Sequence, residues 1–285
     1  MMKILFCTDG SKISFNSIKN ISHWLKDAIV DIICVVDFGM LPDEITLENS
    51  NFIDSCANVA DSILNYAEEE ILKLGYKINS KIKQCGSAID SILEQTNIKS
   101  YDLLVLGSHG KKGLQKWLGS VSQEIINSAN SSTYIAKEEN KARKILITTD
   151  GTTCSLDILK RILPSMKLSD KEIHICLVND DPNLLFLEGV ENSWLLDIQR
   201  KQYLHASKTI SLIEDLLNEN NIKTTQSIIL TGIPAQKIIE YSNRHNIDLI
   251  LLGSRNKSKL DKFLSSSVSK RVSENVKSDI LLAKC

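Results

Sequence analysis

The chain has 285 residues, of which 42% are hydrophobic and 24% charged, and its net charge is −1. This length favours two domains, and the ordinary globular composition excludes a disordered chain or a coiled-coil rod. The balanced charge argues against nucleic acid as a partner, because nucleic-acid affinity comes largely from phosphate neutralisation. Apolar runs are far shorter than the roughly 20 residues that span a bilayer, and the run Ile4–Cys7 is too short for a secretory signal. We therefore expect a cytoplasmic protein with no membrane partner.

The first half of the chain alternates short apolar runs with longer amphipathic patterns. Lys3–Thr8 is a continuous apolar run, which is typical of a buried parallel strand. The longest helical pattern extends from about Phe52 to Leu74. In chain order, the predicted strands are Lys3–Thr8, Asp31–Asp37, Ile78–Gln84, Leu103–Leu106 and Thr133–Ala136, and the predicted helices are Ser11–Lys26, Phe52–Leu74, Ser87–Asn97 and Val121–Ala129.

The second half of the chain repeats the first. The pattern predicts two copies of one domain, residues 1–141 and 142–285, joined by the charged stretch Lys137–Lys144. The matching segments are KILFCTDGS at Lys3–Ser11 with KILITTDGT at Lys144–Thr152, and YDLLVLGSHG at Tyr101–Gly110 with IDLILLGSRN at Ile247–Asn256.

The order of these elements predicts the fold class. Strands that alternate with helices indicate a parallel sheet covered on both faces, and right-handed crossovers make it doubly wound. We expect an α/β protein of two tandem doubly wound domains, each with a mostly parallel five-stranded sheet and helices on both faces. Such sheets bind ligands at the carboxyl ends of strands, where the strand order reverses. The strands of the second copy are predicted near 144–149, 173–179, 224–230, 248–252 and 279–283.

The end of the first strand carries a candidate carboxylate. The residues that follow the strand are Thr8, Asp9, Gly10 and Ser11. A carboxylate at a strand tip can accept hydrogen bonds from a ribose or from an adenine amino group. Asp9 or Ser11 could instead cap the next helix, and the pattern leaves both roles open.

The end of the fourth strand resembles a phosphate cradle. Glycines 107, 110 and 113 would let backbone N–H groups approach an anion closely. A helix that begins near Ser120 adds unpaired N–H groups and a partial positive charge, and Ser120 with Gln123 fits a capping box. The alternative is a flexible turn before an ordinary capped helix.

Cysteine and histidine give weaker signals. The seven cysteines include no C-x-x-C pair and no zinc spacing, so we interpret them as reduced, buried, small apolar side chains. His109 could contact a phosphate, but the sequence supplies no Asp or Cys that would complete a catalytic triad with it. The cysteines lie at positions 7, 34, 56, 85, 154, 176 and 285.

Both halves resemble the universal stress protein domain, and the whole chain resembles a tandem member of that family. The resemblance rests on KILFCTDGS, on Gly86 and Gly232-Ile-Pro-Ala, and on DLLVLGSHG with the later GSV, and it covers nearly the whole chain. ATP-binding members carry a Gly-x2-Gly-x9-Gly-Ser/Thr motif and hold adenine nucleotides for sensing or regulation. The resemblance therefore implies ATP or another adenine nucleotide as the ligand, and it leaves open whether Mg²⁺ accompanies it.

Carried over to the first copy, the resemblance implies a nearly complete site. Thr8 and Asp9 would lie at the adenine and ribose, Val36 would meet the adenine with backbone groups, and the glycine loop would hold the phosphates. Eight residues rather than nine separate Gly110 from Gly119, which leaves the phosphate geometry open. The implied site residues are Thr8, Asp9, Val36, Gly107, His109, Gly110, Gly119, Ser120 and Val121.

The second copy departs further from the motif. Asn256 stands in place of the second glycine, and Ser266-Ser267 stand in place of Gly-Ser. These losses favour a degenerate site and a structural role for this copy. Its candidate residues are Asp150, Gly253, Arg255, Asn256, Ser266 and Ser267.

Two functions follow from these patterns. The first is a stress-response regulatory protein that binds an adenine nucleotide chiefly in residues 1–141, with at most weak ATP hydrolysis. The second is a nucleotide-independent interaction protein of the same fold. An adenylating enzyme would need more Gly and Ser than the first strand end offers. The last strands, Thr133–Ala136 and Ile280–Ala283, are expected at sheet edges, where the resemblance implies an intramolecular pseudo-dimer. Homodimers and other protein partners stay open.

Overall fold

The computed structural model describes residues 1–36, 50–109, 118–181, 192–254 and 268–284. The chain divides into two compact units, Met1–Lys141 and Ala142–Cys285, which we call domain 1 and domain 2. Among the described residues, no helix combines the length and apolarity needed to cross a membrane.

Domain 1 is a parallel sheet with the strand order β3-β2-β1-β4-β5. The strand order reverses at β1, which lies between β2 and β4. This arrangement confirms the predicted doubly wound fold. The strands are β1 (Met2–Thr8), β2 (Ala28–Val36), β3 (Lys77–Cys85), β4 (Leu103–Gly107) and β5 (Ser132–Ala136), and the helices are α1 (Lys12–Ile21), α2 (Ser50–Lys73), α3 (Ala88–Ile98) and α4 (Ser120–Ser128).

Domain 2 repeats this topology with the order β8-β7-β6-β9-β10, again with parallel neighbours. The repeat in the sequence is therefore a repeat in the fold. The strands are β6 (Lys144–Thr149), β7 (Glu172–Asn179), β8 (Thr224–Thr231), β9 (Leu249–Ser254) and β10 (Asp279–Lys284), and the helices are α5 (Thr153–Ile162), a 3₁₀ turn (Leu163–Ser165), α6 (Asn192–Glu219), α7 (Pro234–His245) and α8 (Val268–Asn275).

The central strand β1 is apolar along its length because helices cover both faces of the sheet. Leu5 and Cys7 belong to a buried cluster with Ile92 of α3 and Ile125 of α4. On the opposite face, Phe6 packs near Phe15 of α1, with ring centroids 6.3 Å apart. The period of two in a strand places alternate side chains on opposite faces, so both faces need apolar residues.

Each domain buries one ionisable side chain at a bulge in its second strand. In domain 1 this residue is Asp31, which is 2% exposed. Asp31 accepts hydrogen bonds from Tyr101 Oη at 2.8 Å, from Asn79 Nδ2 at 2.6 Å and from Lys99 Nζ. Burial acts to raise the pKa of Asp31, but the bonds from Lys99, Asn79 and Tyr101 outweigh it and lower the pKa below its usual value.

In domain 2 the bulge lies at His174 of β7, which is also 2% exposed. His174 Nδ1 lies 2.8 Å from Tyr241 Oη, and Nε2 lies 3.0 Å from Glu172 Oε1. The hydrogen bond to His174 lowers the pKa of Glu172. The two domains thus place opposite kinds of ionisable group at equivalent positions.

The interpretation of all cysteines as reduced is wrong for Cys56 and Cys85 in domain 1 and for Cys154 in domain 2, all of which are disulfide-bonded. Cys56 of α2 and Cys85 at the end of β3 form a disulfide, with Cα atoms 6.6 Å apart. The physical reason is that α2 packs along β3 and brings two cysteines 29 residues apart together. Cys7, Cys34 and Cys176 are buried thiols, as expected.

Candidate functional site

A tight turn at the end of β1 fixes the Asp9 carboxylate. Asp9 Oδ1 accepts a hydrogen bond from Ser11 N at 3.0 Å, and Thr8 Oγ1 accepts one from Gly10 N at 3.1 Å. Ser11 is the N-cap of α1, and its Oγ accepts from Ser14 N at 3.2 Å. Ser11 therefore takes the capping role that the sequence left open, while Asp9 is held half-buried at the tip of the central strand.

Domain 2 contains the same turn after β6. The hydroxyls of Thr149 and Ser155 lie 2.8 Å apart, as those of Thr8 and Ser14 do in domain 1. One difference concerns the carboxylate: Asp150 Oδ1 accepts from both N and Oγ1 of Thr152, at 3.1 and 2.6 Å. Asp150 therefore accepts from the Thr152 hydroxyl as well as from the Thr152 backbone N–H.

Gly107 allows α1 to pack directly on the end of β4. A Cβ at this position would lie 2.7 Å from Ile13 Cγ2 and 3.0 Å from Ser14 N. At the matching Gly253 of domain 2, the nearest atom would be Ile158 Cδ1 at 3.5 Å, an ordinary contact. The glycine is therefore required by packing in domain 1 alone.

The loop after β4 returns to the strand end through backbone hydrogen bonds. Ser108 is 2% exposed, and its N donates to Ala136 O at 2.7 Å. Its carbonyl accepts from Gly119 N at 2.7 Å, and its Oγ lies 2.9 Å from His109 Nδ1. These contacts bring His109 and Gly119 together although nine positions in the chain separate them.

The start of α4 has a glycine cap. Gly119 is the N-cap, and among the described residues it brings no side-chain cap hydrogen bond to the helix. The predicted capping box at Ser120 and Gln123 is therefore wrong, because the bond from Gly119 N to Ser108 O places Gly119 in the cap position and makes Ser120 the first helical residue. Ser122 Oγ donates to Gly107 O at 2.7 Å and fastens the helix to the strand end.

Val36 ends β2 with its carbonyl already engaged. Gly86 N donates to Val36 O at 3.1 Å, and Gly86 has a φ of 128°, a conformation that favours glycine. In domain 2, Gly232 N donates to Asn179 O at 3.0 Å in the same way. One of the backbone groups expected at an adenine is thus also a structural contact.

The structure places most of the predicted residues of domain 1 at the carboxyl ends of the strands, along one side of the sheet. Thr8, Val36 and Gly107 end the neighbouring strands β1, β2 and β4, at the point where the strand order reverses. His109, Gly119, Ser120 and Val121 follow at the same strand end. In domain 2, Asp150 and Gly253 lie at the ends of β6 and β9. Outside the described residues are Gly110, Arg255, Asn256, Ser266 and Ser267.

The family model described as the universal stress protein family matches residues 1–137 and again residues 141–284. The chain belongs to the universal stress protein family.

Relatives of this universal stress protein match either about half of the chain or nearly all of it. A universal stress protein of Methanocaldococcus jannaschii is 29% identical over 54% of this chain and 88% of its own length. One from Synechocystis is 23% identical over 95% of this chain and 96% of its own. A universal stress protein of Archaeoglobus fulgidus with a known crystal structure is 18% identical in sequence to this chain. The match covers 99% of this chain and 96% of the Archaeoglobus chain, with a TM-score of 0.66.

Another universal stress protein has been solved in complex with cAMP. That protein is 16% identical in sequence to this chain, and the match covers 50% of this chain and 97% of the other, with a TM-score of 0.35. The similarity is too low to carry information about the ligand of this chain.

His205 packs against the strand-end turn of domain 2, a contact that the sequence did not predict. It lies on α6 and covers the turn of domain 2: a Cβ added to Gly151 would be 2.8 Å from His205 Cε1. Gly151 itself has a φ of 75°. No motif marks His205, because only the packing of α6 on the turn brings it there.

Beside the turn of domain 1 lies a groove of about 580 Å³ between α1 and α2. Gly10, Lys12 and Phe15 line one side and Tyr66 lines the other, with the Phe15 and Tyr66 rings edge to face at 4.8 Å. Within the described ranges, no group of three or more His, Cys, Asp or Glu side chains is placed to hold a metal ion.

Proposed function

We propose that this universal stress protein is a cytoplasmic stress-response regulator that binds ATP or another adenine nucleotide in domain 1. The observation that carries the proposal is the start of α4, which has a glycine cap and lies at the same strand-end edge as Asp9. The first-turn N–H groups of a helix have no partner within the helix and carry a partial positive charge, which suits a phosphate.

Each part of the edge has a distinct role in this proposal. The backbone N–H groups of Ser120 and Val121 bind phosphate oxygens, with each charge-assisted bond worth about 1.5–3 kcal/mol. Gly107, Gly110 and Gly119 border the phosphate chain in this proposal, and His109 adds a polar contact. Thr8 and Asp9 hold the ribose, and Val36 borders the adenine. Any Mg²⁺ would arrive with the nucleotide.

Domain 2 serves mainly as a structural partner in this proposal. Asp150 already accepts two bonds from Thr152, and His205 occupies the space over Gly151. The motif positions of domain 2 also lack the second and last glycines, at Asn256 and Ser266. We propose that the tandem domains form an intramolecular pseudo-dimer and that nucleotide binding changes which proteins the chain contacts.

A nucleotide-independent interaction protein is the second candidate. The observation that favours it is the shortened spacing of eight residues between Gly110 and Gly119, where ATP-binding members have nine.

Titration of the purified full chain with ATP and Mg²⁺ separates the two candidates. Under the first, calorimetry gives one site per chain, and mass spectrometry of the denatured protein identifies a co-purified adenine nucleotide at no more than that ratio. Asp9→Ala is expected to weaken binding at least about tenfold, because a lost hydrogen bond to a charged group costs about 1.5–3 kcal/mol. Asp150→Ala is the matched change in domain 2 and should leave the affinity and stoichiometry as they were.

Two sites per chain would overturn the assignment of domain 2. No binding to either domain would favour the interaction protein. Binding that survives both Asp9→Ala and Gly119→Val would show that the proposed edge is not the site.

A further inference from the structure

Two ion pairs and a disulfide join side chains of α2 to side chains of the edge strand β3. Along the helix they run from its last turns towards its start, while along the strand they run towards its carboxyl end. The ion pairs join partly exposed side chains. The disulfide is the outermost link, because it lies nearest to the start of α2 and to the carboxyl end of β3. The links are Glu68–Lys81 at 2.5 Å, Asp61–Lys83 at 2.8 Å and the disulfide Cys56–Cys85.

The covalent link lies beside the residue proposed to border the adenine. Cys85 is the register partner of Val36 in the β2–β3 pair. The next residue, Gly86, donates the 3.1 Å hydrogen bond to the Val36 carbonyl. The disulfide therefore fixes the strand end that holds Val36, and it fixes the early turns of α2 to the same place.

Cys85 differs in accessibility from its partner Cys56, which is 3% exposed, and from the buried thiols of the described chain. Cys85 is an exposed residue at the end of an edge strand, so a small thiol or disulfide can reach its Sγ. Cys7 and Cys176 are 6% and 1% exposed. Burial raises the pKa of both thiols, that of Cys176 to about 12, so neither forms the reactive thiolate at neutral pH.

We propose that Cys56 and Cys85 are a redox-active thiol–disulfide pair, and that its oxidation tightens the nucleotide site at Val36. The second half of this statement rests on the proposed function. The co-reactant is a low-molecular-weight disulfide. The Cys85 thiolate attacks one of its sulfurs, which forms a mixed disulfide and releases one small thiol. The Cys56 thiolate then attacks Cys85 Sγ and releases the second small thiol. The two protein thiols lose two protons and two electrons, and the small disulfide is reduced to two thiols.

Reduction removes only the outermost link. The ion pairs Glu68–Lys81 and Asp61–Lys83 remain, and because they are solvent-exposed they hold the helix weakly. The fold is retained, while the contact between the start of α2 and the end of β3 becomes non-covalent. Oxidation pre-organises this end of the site, so that less order has to be created when the nucleotide binds.

The test equilibrates the full chain with glutathione disulfide or with dithiothreitol and maps the linked peptides by mass spectrometry. ATP with Mg²⁺ is then titrated into each form. We expect a Cys56–Cys85 peptide in the oxidised sample only, and a Kd for ATP at least about threefold lower in that sample. Cys85→Ser removes an exposed sulfur with little risk to folding and should give equal Kd values under both conditions. Cys176→Ala, a change in domain 2, should keep the difference.

The outcomes separate this inference from the function on which it rests. The absence of a Cys56–Cys85 peptide after oxidation overturns the redox pair, whatever the affinity for ATP. A linked peptide with equal Kd values overturns the coupling to the site. If neither form binds ATP, the coupling and the proposed function both fail, while the peptide map still decides whether the pair is redox-active.

Discussion

Adding one methyl group at the end of β4 should destabilise domain 1, whereas the same addition at the matching position of β9 should hardly change the stability of domain 2. In Gly107→Ala, the new Cβ would lie 2.7 Å from Ile13 Cγ2 and 3.0 Å from two backbone atoms of α1. The helix must move, because backbone atoms cannot rotate away as the end of a side chain can. In Gly253→Ala, the nearest atom is 3.5 Å away. The two variants make the same chemical change at matching positions.

The expected sizes follow from packing and chain entropy. Overpacking a tight core costs about 1–3 kcal/mol, while replacing Gly by Ala at a compatible position stabilises by about 0.4–1 kcal/mol through the unfolded state. Gly107→Ala should therefore lower the unfolding free energy by about 1–2 kcal/mol, which corresponds to a fall in Tm of about 2–8 °C. Gly253→Ala should leave the unfolding free energy unchanged or slightly raised.

Urea unfolding of both variants measures the total effect, and hydrogen exchange with mass spectrometry locates it. Faster exchange should be confined to peptides from α1 and β4. Equal stability of the two variants would refute the argument, because it would mean that α1 does not approach Gly107 more closely than α5 approaches Gly253. Faster exchange in domain 2 peptides of Gly107→Ala would refute it equally.

Three further results are expected. Asp31→Asn should cost about 1–3 kcal/mol at pH 7, since it weakens the bonds from Lys99 and other donors. Because folding lowers the pKa of Asp31, its contribution is present above the unfolded value of about 3.9 and is lost as pH falls through the folded value, so the variant should lose less stability than the wild type in acid unfolding below about pH 4. Removing the Cys56–Cys85 link, with a sequence separation of 29, should lower the unfolding free energy by about 3.6 kcal/mol, as measured by urea titration of Cys85→Ser beside the oxidised wild type. At pH 8, iodoacetamide should label reduced Cys85 at least about tenfold faster than Cys176, as measured by peptide mass spectrometry.

The sequence predicts several regular elements of this protein closely because the inner strands are buried on both faces. The run Lys3–Thr8 differs from β1 by one residue, and the predicted strand Lys144–149 coincides with β6. The amphipathic pattern from about Phe52 to Leu74 likewise matches α2 within two residues. Continuous apolar runs and helical stripes are local signals, and the repeat of each signal in the second half supports the first.

The details of the site depend on packing, which local patterns do not encode. The capping box at Ser120 fails because Gly119, whose N–H donates to the Ser108 carbonyl, takes the cap position instead. The Cys56–Cys85 bond and the contact of His205 with Gly151 arise because long helices pack against strand ends and turns. Spacing alone offers no signal for any of the three.

The strand order of domain 1 also bears on how the chain folds during synthesis. The central strand β1 pairs with β4 at Ile4 and Leu103. About a hundred residues must therefore be synthesised after β1 before β4 can leave the ribosome and pair with it. Such distant pairings slow folding, because the loop must close before the contacts form. The strand pairs of the first sheet nevertheless lie within residues 2–136, so domain 1 can complete its sheet while domain 2 is still being translated. A nascent chain stalled near residue 180 should already resist proteolysis in its first half.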